Sequence, residues 1–360
     1  MKILLLGEYS GLNNELKSAL VAAGHEVTLA GSNDFFKKYP ADINLGRGSN
    51  IYTYKISQLI LPFLNLNKFV GYDVVHVINF YIFPRVPFFN LFLIRFLKNN
   101  NALVTLSGAG DDPFFIKYAE STMRYNPIPS HEKYDRRGKQ YYMRSESHLK
   151  TMREYMNYVD GVIPIMYEYY STFCAAGYAS KTSLPVAIPI NLEKIPEKSN
   201  CLKNNKVVFF HGLNRYGFKG TYLIEEAFIN ISSKYPRDVE CVIAGNMPFD
   251  SYMKLVDRVN VSVDQVFSYS LSMNPLYSMA RNKFVCGGAE QESSILYDGV
   301  LPPVANIQPD INQIFNVFEN IIENKHLISD RSEEGRAFVS KYHNPDLVAF
   351  KYIEYWNSLS

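Results

Sequence analysis

Short apolar runs alternate with amphipathic runs along most of this chain, and this alternation limits the folds that it can adopt. Lys2 to Leu6 predicts a buried strand, the helical spacing from Leu16 to Ala23 predicts a helix that Gly24 ends, and Glu26 to Ala30 predicts a second strand. This order is typical of a parallel sheet with ligands at the carboxyl ends of its strands. The loop at residues 7–11 lacks the Gly-x-Gly-x-x-Gly pattern, which disfavours a dehydrogenase.

A second series of strands and helices begins at Val207, after a polar, proline-containing linker around residues 184–205. Two such series in 360 residues predict an α/β protein with two Rossmann-like domains facing each other across a cleft. We predict a first domain at residues 1–190, a second at 191–343, and a C-terminal helix at 344–360 that packs back on the first domain. In that helix Asn344 is the expected N-cap, and Ala349, Tyr352, Ile353 and Trp356 share one face.

The overall composition excludes several classes of protein. A hydrophobic content of 47% with 20% charged residues indicates a globular chain. The net charge of +2 gives no argument for nucleic acid, and we expect none as a partner. The four cysteines form no Cys-x-x-Cys pair, so we expect neither a zinc site nor a disulfide framework. No signal peptide and no run long enough to span a bilayer is evident, so we expect a cytoplasmic protein. Contact with the inner face of the membrane is a further expectation.

The stretch from Lys206 to Thr221 predicts a buried strand, a glycine-containing loop and the start of a helix. Arg215 and Lys219 lie in the loop, and Gly217 and Gly220 expose backbone amides around them. Fixed cations and N–H groups at a positive helix end are suited to hold phosphate, here the diphosphate of a sugar nucleotide. An ordinary strand-to-helix turn with two solvated cations explains the same spacing, so both interpretations stay open at this point.

Two further stretches each have two interpretations. Phe80 to Lys98 is dense in Phe and Leu with a few cations, which fits either a helix docked in a membrane interface or a buried crossover helix. Lys133 to Arg153 is basic and rich in tyrosine. It fits either a solvated helical face or a surface that attracts anionic lipid or a diphosphate-bearing acceptor.

Two stretches of the second half resemble the GT-B glycosyltransferases, in particular the large retaining class called family 4. His211 to Thr221 is similar to that family's loop with an Arg, a Lys-Gly-Thr and a following helix. Val263 to Val285 is similar to the family's run that ends in a Leu-Glu-Ala-Met-Ala helix and a Val-rich strand. The loop with Gly11, the strand beginning at Tyr72 and the Gly110-Asp111 turn are also similar. The resemblance covers most of the chain and is strongest from residue 206 to 290.

The resemblance implies a retaining hexosyltransferase-type enzyme that moves a sugar from a nucleotide-diphosphate sugar, such as a UDP-sugar, to an acceptor hydroxyl. Arg215 and Lys219 would hold the diphosphate, and Asp111 would orient the acceptor. Asp111 also fits an ordinary Asx-type turn with Asp112 and Pro113. His211 either contacts the sugar or base or is a satisfied polar residue at a strand end. The full donor-binding set is Gly11, His211, Asn214, Arg215, Lys219, Gly245, Tyr269, Ser272, Met273, Tyr277, Glu290 and Glu292.

One departure from the family concerns two glutamates separated by seven residues, whose positions Tyr269 and Tyr277 occupy here. A tyrosine makes one hydroxyl contact and cannot offer a carboxylate's two acceptor oxygens. Three explanations stay open: the donor contacts differ, Glu290 or Glu292 supplies the acid, or catalysis is weak.

The chemistry expected is same-face attack, in which the leaving phosphate takes the proton of the acceptor hydroxyl. Cations and amides aimed at the diphosphate stabilise the charge that develops on it. We expect no cofactor and no required metal, because the chain shows no Asp-x-Asp motif at Asp111 and Asp112. The expected acceptor is a glycan or lipid-linked glycan of bacterial surface polysaccharide. The alternatives are a sugar-nucleotide epimerase of the same architecture and a non-catalytic glycosyltransferase-like protein that binds a glycan or a partner.

Overall fold

The computed structural model describes residues 1–32, 39–48, 50–83, 86–245 and 249–359, with the side chains of residues 249–253 outside this description. The chain divides into two compact units. The first unit consists of Met1–Thr122, Tyr142–Pro189 and Asn344–Ser360, and the second of Met123–Tyr141 and Ile190–His343. The predicted boundary at residue 190 placed Met123–Tyr141 with the first unit. The segment Met123–Tyr141 belongs instead to the second unit, because it contacts the loop that follows the first strand of that unit.

The strands of both units are short and largely buried. In chain order they are β1 (Lys2–Leu6), β2 (Glu26–Gly31), β3 (Ile43–Asn44), β4 (Val74–Val77), β5 (Leu103–Gly108), β6 (Gly161–Pro164), β7 (Val207–Gly212), β8 (Val239–Ala244), β9 (Val261–Val263), β10 (Phe284–Gly287) and β11 (Ala305–Asn306). The two-residue strands β3 and β11 were not predicted, because two residues are too few to show a period.

The helices alternate with these strands. In chain order they are α1 (Leu12–Ala22), α2 (Ile51–Leu64), α3 (Pro87–Asn100), α4 (Pro113–Thr122), α5 (Ile128–Ser130), α6 (Glu146–Tyr155), α7 (Tyr167–Phe173), α8 (Tyr216–Lys219), α9 (Thr221–Lys234), α10 (Phe249–Arg258), α11 (Met273–Ala280), α12 (Ile311–Glu323), α13 (Ile328–Tyr342) and α14 (Pro345–Ser358). Among the described residues, no helix combines the length and apolar character needed to cross a membrane.

The first unit is a doubly wound sheet. Its six described strands are parallel and lie in the order β3-β2-β1-β4-β5-β6. The strand order reverses between β1 and β4, and such a switch point is where open α/β sheets bind ligands. Helices α1, α3 and α7 flank the sheet, whose core strands β1, β4 and β5 are buried along almost their whole length.

Helix α14 belongs to the first unit. Asn344 caps it by accepting a hydrogen bond of 2.8 Å from the Asp346 N–H, as the sequence predicted. Trp356 is fully buried and donates from Nε1 to Thr105 Oγ1 at 3.1 Å. The ring of Tyr352 packs edge-on against His76 in β4. The predicted apolar face of this helix is therefore confirmed, and it faces the sheet of the first unit.

The second unit holds a second parallel sheet, with its described strands in the order β11-β10-β9-β7-β8. This is the flavodoxin-like form of the doubly wound sheet, in which the order reverses between the first and third strands, here β7 and β9. Phe209 in β7 and Val263 in β9 are fully buried and belong to the core between the sheet and helices α9 and α12. The carboxyl ends of β7 and β9 therefore define the expected ligand crevice of this unit.

Candidate functional site

The loops that follow β7 and β9 carry the side chains that the sequence singled out. The loop after β7 leads through α8 into α9, and Asp264 follows β9 directly. His211 and Val263 are paired partners at the ends of the two strands. Both loops consequently begin at the same edge of the sheet, at its switch point.

Lys219, Asp264 and Ser272 form a connected polar group at this edge. Lys219 Nζ donates to Asp264 Oδ1 at 3.0 Å and to the Gly212 carbonyl at 3.4 Å. Asp264 Oδ2 accepts a hydrogen bond of 3.0 Å from Ser272 Oγ. Burial alone would raise the pKa of Asp264, but the Lys219 ammonium holds it below its ordinary value. Lys219 is thus fixed against Asp264, which begins the β9–α11 connection, and Asp264 in turn bonds Ser272, which precedes α11.

The N-terminus of α11 adds positive potential to this group. Ser272 is the N-cap of the helix, yet its side chain makes no capping hydrogen bond to α11, because its hydroxyl bonds Asp264 instead. The first N–H groups of a helix have no partner within the helix and carry partial positive charge. Lys219 and the amides that begin at Met273 therefore present a cation and a helix end together, an arrangement that suits an anionic group.

Arg215 starts α8 from a left-handed backbone conformation with φ of 55°. Its guanidinium lies over the ring of Phe218, 3.5 Å from the ring centre. The adjacent Asn214 is exposed. Arg215 is thus fixed against α8 itself, whereas Lys219 is fixed against the neighbouring β9 loop.

The end of α8 is a sharp turn that requires glycine. Gly220 has φ of 71°, and a Cβ atom there would lie 2.4 Å from Val266 Cγ2. The Val266 N–H donates to the Lys219 carbonyl at 3.0 Å. The loop after β7 is therefore held against the loop after β9 by backbone contact, which keeps Lys219 beside Asp264.

His211 is fully buried and has both ring nitrogens engaged inside the protein. Nδ1 donates to the Val263 carbonyl and Nε2 accepts from the Thr221 hydroxyl, each at 2.9 Å. Burial lowers the pKa of His211 to about 4, and the nearby Lys219 charge acts in the same direction. Of the two interpretations of His211, these contacts fit the satisfied polar residue, since no ring nitrogen is left for a donor.

The segment Met123–Tyr141, which we call the strap, covers α8. Asp135 accepts hydrogen bonds from the Gly217 N–H at 3.0 Å and the Phe218 N–H at 2.9 Å. Ser130 Oγ donates to the Gly217 carbonyl at 2.7 Å. A Cβ atom at Gly217 would lie 2.3 Å from the Ser130 carbonyl oxygen, so this close approach needs glycine. The amides predicted to face phosphate at Gly217 are thus bonded to a carboxylate of the same chain.

A second set of contacts fixes the start of the strap. The Arg124 guanidinium pairs with Glu290 at 2.6 Å and with Glu292. The Tyr125 hydroxyl donates a hydrogen bond of 2.6 Å to Glu290 Oε1. The Tyr269 hydroxyl accepts from the Arg124 backbone N–H, and the Arg124 guanidinium lies over the Tyr269 ring. Three predicted donor residues, Tyr269, Glu290 and Glu292, therefore hold the strap.

Glu290 is 7% exposed and has further partners in the second unit. Its Oε1 also accepts from Asn306 Nδ2 and Gln308 Nε2, each at 2.8 Å. Burial would raise the pKa of Glu290, but these hydrogen bonds and the Arg124 charge hold it below its ordinary value. An ionised, fully bonded carboxylate of this kind is a structural anchor.

Two remaining predicted residues lie on elements of the same unit. Tyr277 is half-buried in α11. Gly245 follows β8, where the Leu213 N–H donates to the Ala244 carbonyl at 2.9 Å. The second unit thus brings together the start of the loop after β7 and the end of β8, and Tyr277 lies in the second half of α11.

Gly11 and Asp111 belong to the first unit, in the loops after β1 and β5. Gly11 has φ of 92° and precedes α1, and its N–H donates to Glu8 Oε1 at 2.8 Å. Asn79 Nδ2 donates to the Ala109 carbonyl at 2.6 Å and to the Asp111 carbonyl at 3.4 Å. These contacts join the ends of β4 and β5 close to the switch point of the first sheet.

The Asx-type turn predicted as an alternative for Asp111 is made by its neighbour. Asp112 Oδ1 accepts from the Phe114 N–H at 2.7 Å and the Phe115 N–H at 2.9 Å, which starts α4. Burial raises the pKa of Asp112 to about 7. Asp112 therefore carries the turn, and the acceptor role of Asp111 stays a prediction.

Sequence reasoning missed Asp264, Arg124, Tyr125, Asp135 and Asn79. Asp264 and Asn79 each follow a strand within two residues, so the rule that ligands lie at strand ends could have singled them out. Asp135 lies within the basic stretch Lys133 to Arg153, where the sequence gives no reason to single it out. Nothing local links Arg124 and Glu290, which are 166 residues apart.

An apolar surface lies on α2 and α3 of the first unit. Ile56, Ile60 and Leu64 are 56%, 48% and 69% exposed and lie at helical spacing on α2. On α3, Phe88 and Phe92 are 72% and 42% exposed. Neither helix contains an Asp or Glu. We call these five side chains the apolar surface.

Helix α3 covers most of the Phe80–Lys98 stretch, and its two sides differ in burial. Its buried side consists of Leu91, Leu93, Ile94 and Leu97, as expected of a crossover helix. Its other side joins α2 through Phe63, whose ring centre is 5.7 Å from that of Phe92. The helix is thus buried on one side and contributes to the apolar surface on the other.

The two parallel sheets with flanking helices define an α/β chain with the GT-B fold, the fold of many glycosyltransferases and of some sugar-nucleotide epimerases. Sucrose-phosphate synthase from Thermosynechococcus elongatus is similar over 100% of this chain and 99% of its own, with a TM-score of 0.64 and 14% identity. HepE from Anabaena, solved with UDP and glucose, is similar over 99% of this chain and 100% of its own, with a TM-score of 0.64 and 12% identity. UDP-GlcNAc 2-epimerase from Neisseria meningitidis, bound to UDP-GlcNAc, is similar over 99% of this chain and 100% of its own, with a TM-score of 0.50 and 10% identity. No family model and no curated protein matches the chain.

Proposed function

We propose that this chain is a retaining glycosyltransferase of the family 4 type, which transfers a sugar from a nucleotide-diphosphate sugar to an acceptor hydroxyl. The observation that carries the proposal is the group formed by Lys219, Asp264 and Ser272 at the switch point of the second sheet. It places a fixed cation beside the uncapped N-terminus of α11. Similar structures that bind UDP or a UDP-sugar support a nucleotide sugar as the donor.

In the proposed mechanism, Lys219 and the first amides of α11 bind the donor diphosphate. As the bond to the sugar breaks, negative charge grows on the leaving phosphate, so these groups stabilise the transition state more than the bound substrate. Arg215 contributes a second cation from the start of α8. The leaving phosphate takes the proton of the acceptor hydroxyl on the same face of the sugar, and no metal ion is required.

The replacement of two family glutamates by Tyr269 and Tyr277 fits different donor contacts better than a substitute acid. Glu290 and Glu292 are the substitutes that the sequence suggested, and both are paired with Arg124 of the strap. Under this proposal Tyr277, half-buried in α11, offers one hydroxyl to the donor nucleoside or sugar. Tyr269 supports the strap.

The acceptor side of the proposal assigns Asp111 the orientation of the acceptor hydroxyl and the apolar surface contact with a membrane. Interfacial binding needs apolar side chains beside cations. The exposed Lys55 and Lys68 lie on and just after α2. A lipid-linked glycan acceptor of bacterial surface polysaccharide at the inner face of the membrane is the substrate class that fits this surface.

Incubation of the protein with a panel of UDP- and GDP-sugars, with and without glycan and lipid-linked acceptors, tests this function. Nucleoside diphosphate release that depends on acceptor, with retained anomeric configuration and unchanged in EDTA, is the expected result. An epimerised donor without transfer would support the epimerase instead. Donor binding without turnover against every acceptor would support a non-catalytic binding protein.

The nucleotide itself can be identified first by thermal unfolding. A ligand that binds only the folded chain raises its melting temperature by mass action. UDP, GDP, ADP and CDP are compared at equal concentration. No shift with any of them would contradict the proposed donor site before any acceptor is known.

A further inference from the structure

We propose that Asp135 is a positioning residue for the donor loop, and that the strap is a functional part of the donor site. The inference rests on the proposed function, because the loop that Asp135 holds is the one that carries Lys219. Asp135 lies in a stretch of the chain between α4 and α6, two helices of the first unit, but its contacts are with the second unit.

The contact between Asp135 and α8 is a charge-assisted pair of hydrogen bonds. One oxygen accepts from the Gly217 N–H and the other from the Phe218 N–H. His131 Nδ1 lies 2.8 Å from the second oxygen and holds the carboxylate in place. The two amides belong to the first turn of α8, where no intrahelical acceptor exists. Asp135 thus fixes the direction of the short helix.

The opposite end of α8 carries the proposed phosphate contact. Helix α8 spans only Tyr216–Lys219, so its two ends are about 5 Å apart along the axis. A rotation of so short a helix moves Lys219 relative to Asp264 and the start of α11. Asp135 therefore acts through α8 on the position of the Lys219 ammonium and does not touch the reacting atoms.

Contacts at both ends of the strap support this role. Arg124 and Tyr125 anchor its start to Glu290, and Ser130 bonds the Gly217 carbonyl. Near its end, Tyr134 packs on Tyr222 at 4.6 Å between ring centres. A loop that only connected two helices would not need contacts to three separate segments of the rest of the second unit.

The test compares Asp135→Asn with Asp238→Asn. Asp238 is the control, a carboxylate of the same unit that pairs with Lys325 at 2.8 Å. It directly precedes β8, so it lies at the amino end of that strand, away from the loops at the carboxyl ends. In Asp135→Asn we expect the donor KM to rise about tenfold, the scale of one lost charge-assisted contact, with the acceptor KM unchanged. Asp135→Glu should recover part of the loss. Asp238→Asn should leave the donor KM as in the unmodified protein.

Ser130→Ala serves as a milder variant if Asp135→Asn does not fold, and a rise of about threefold in donor KM is expected for it. Equal donor KM in Asp135→Asn, Asp238→Asn and the unmodified protein would overturn the positioning role. A lower donor KM in Asp135→Asn would also overturn it, since it would show that the carboxylate blocks the loop. If the unmodified protein neither binds nor turns over any nucleotide sugar, the proposed function fails first, and the two failures are thereby distinguished.

Discussion

Lys219 and Asp264 form an ion pair of 3.0 Å in which the lysine side chain is 14% exposed and the aspartate side chain 3%. Such a pair is costly to break from one side, because the remaining charge stays buried without a partner. The same pair joins two loops at the switch point of the second sheet. Its effects on stability and on activity can therefore be separated by the choice of substitution.

Lys219→Met should lower the free energy of unfolding by about 3 kcal/mol and lower turnover about a hundredfold. The double variant Lys219→Met/Asp264→Asn should regain much of the stability, because no charge is left unpaired, but not the turnover. Denaturant unfolding and nucleotide release measure the two effects. Lys325→Met is the control, since its pair with Asp238 is more exposed, at 22% and 41%. Near-normal turnover in the double variant would remove Lys219 from the mechanism.

We expect the folded chain to lose stability in mild acid because of His211. Its pKa falls from 6.5 to about 4 on folding, first because the ring is buried and next because of Lys219. Between pH 6.5 and about 4, His211 is protonated in the unfolded chain but neutral in the folded chain. The free energy of unfolding therefore falls as pH drops from 6.5 towards 4, by up to about 3 kcal/mol.

Comparison of urea unfolding at pH 7 and pH 5 measures this effect. In His211→Gln the difference in unfolding free energy between the two pH values should be smaller than in the unmodified protein. His326→Gln, at an exposed position, should leave the difference unchanged. An equal difference in His211→Gln would contradict the assigned protonation state.

The apolar surface predicts binding to anionic vesicles. Leu64→Glu/Phe88→Glu should abolish co-sedimentation with vesicles that contain phosphatidylglycerol, because both side chains are largely exposed and each charge is costly to insert. Binding by the unmodified protein should weaken as salt rises. Ile229→Glu is the matched control, since Ile229 is 67% exposed on α9 of the second unit. An equal loss of co-sedimentation in Ile229→Glu, or no binding of the unmodified protein at low salt, would contradict the membrane proposal.

The anchor of the strap predicts a measurable coupling between Arg124 and Glu290. A double-mutant cycle with Arg124→Ala and Glu290→Gln should give about 1 kcal/mol, because the arginine side chain is 54% exposed and solvent screens the pair. The same cycle on Arg331 and Glu334, a pair with both side chains 52% exposed, should give no resolvable coupling. Equal values for the two cycles would show that the strap is not anchored by this pair.

Much of the fold followed from the sequence because the strands are apolar and the helices have a clear period. The predicted apolar face of α14 and its cap at Asn344 are confirmed, and both depend on neighbours a few residues apart. Lys219 lies in the predicted loop beside the predicted Ser272. That pairing was predictable because parallel strands place the loops after them at one edge of the sheet.

The strap could not be predicted, because its contacts join residues that are far apart in the chain. Arg124 gives no sign of Glu290, and Asp135 gives no sign of Gly217, 82 residues away. The roles expected for Glu290 and His211 were drawn from local spacing. Spacing does not show that a carboxylate already has partners or that a ring is buried.

The membership of the strap in the second unit has a consequence for how such chains can exchange parts in evolution or in the laboratory. A chimera that received residues 190–343 from a relative would acquire a new loop after β7 but keep the old Asp135 and Arg124. Recombination at the linker alone would therefore mismatch the two. Under the proposed function, a donor specificity would have to be transplanted as two separate inserts, residues 123–141 together with residues 190–343.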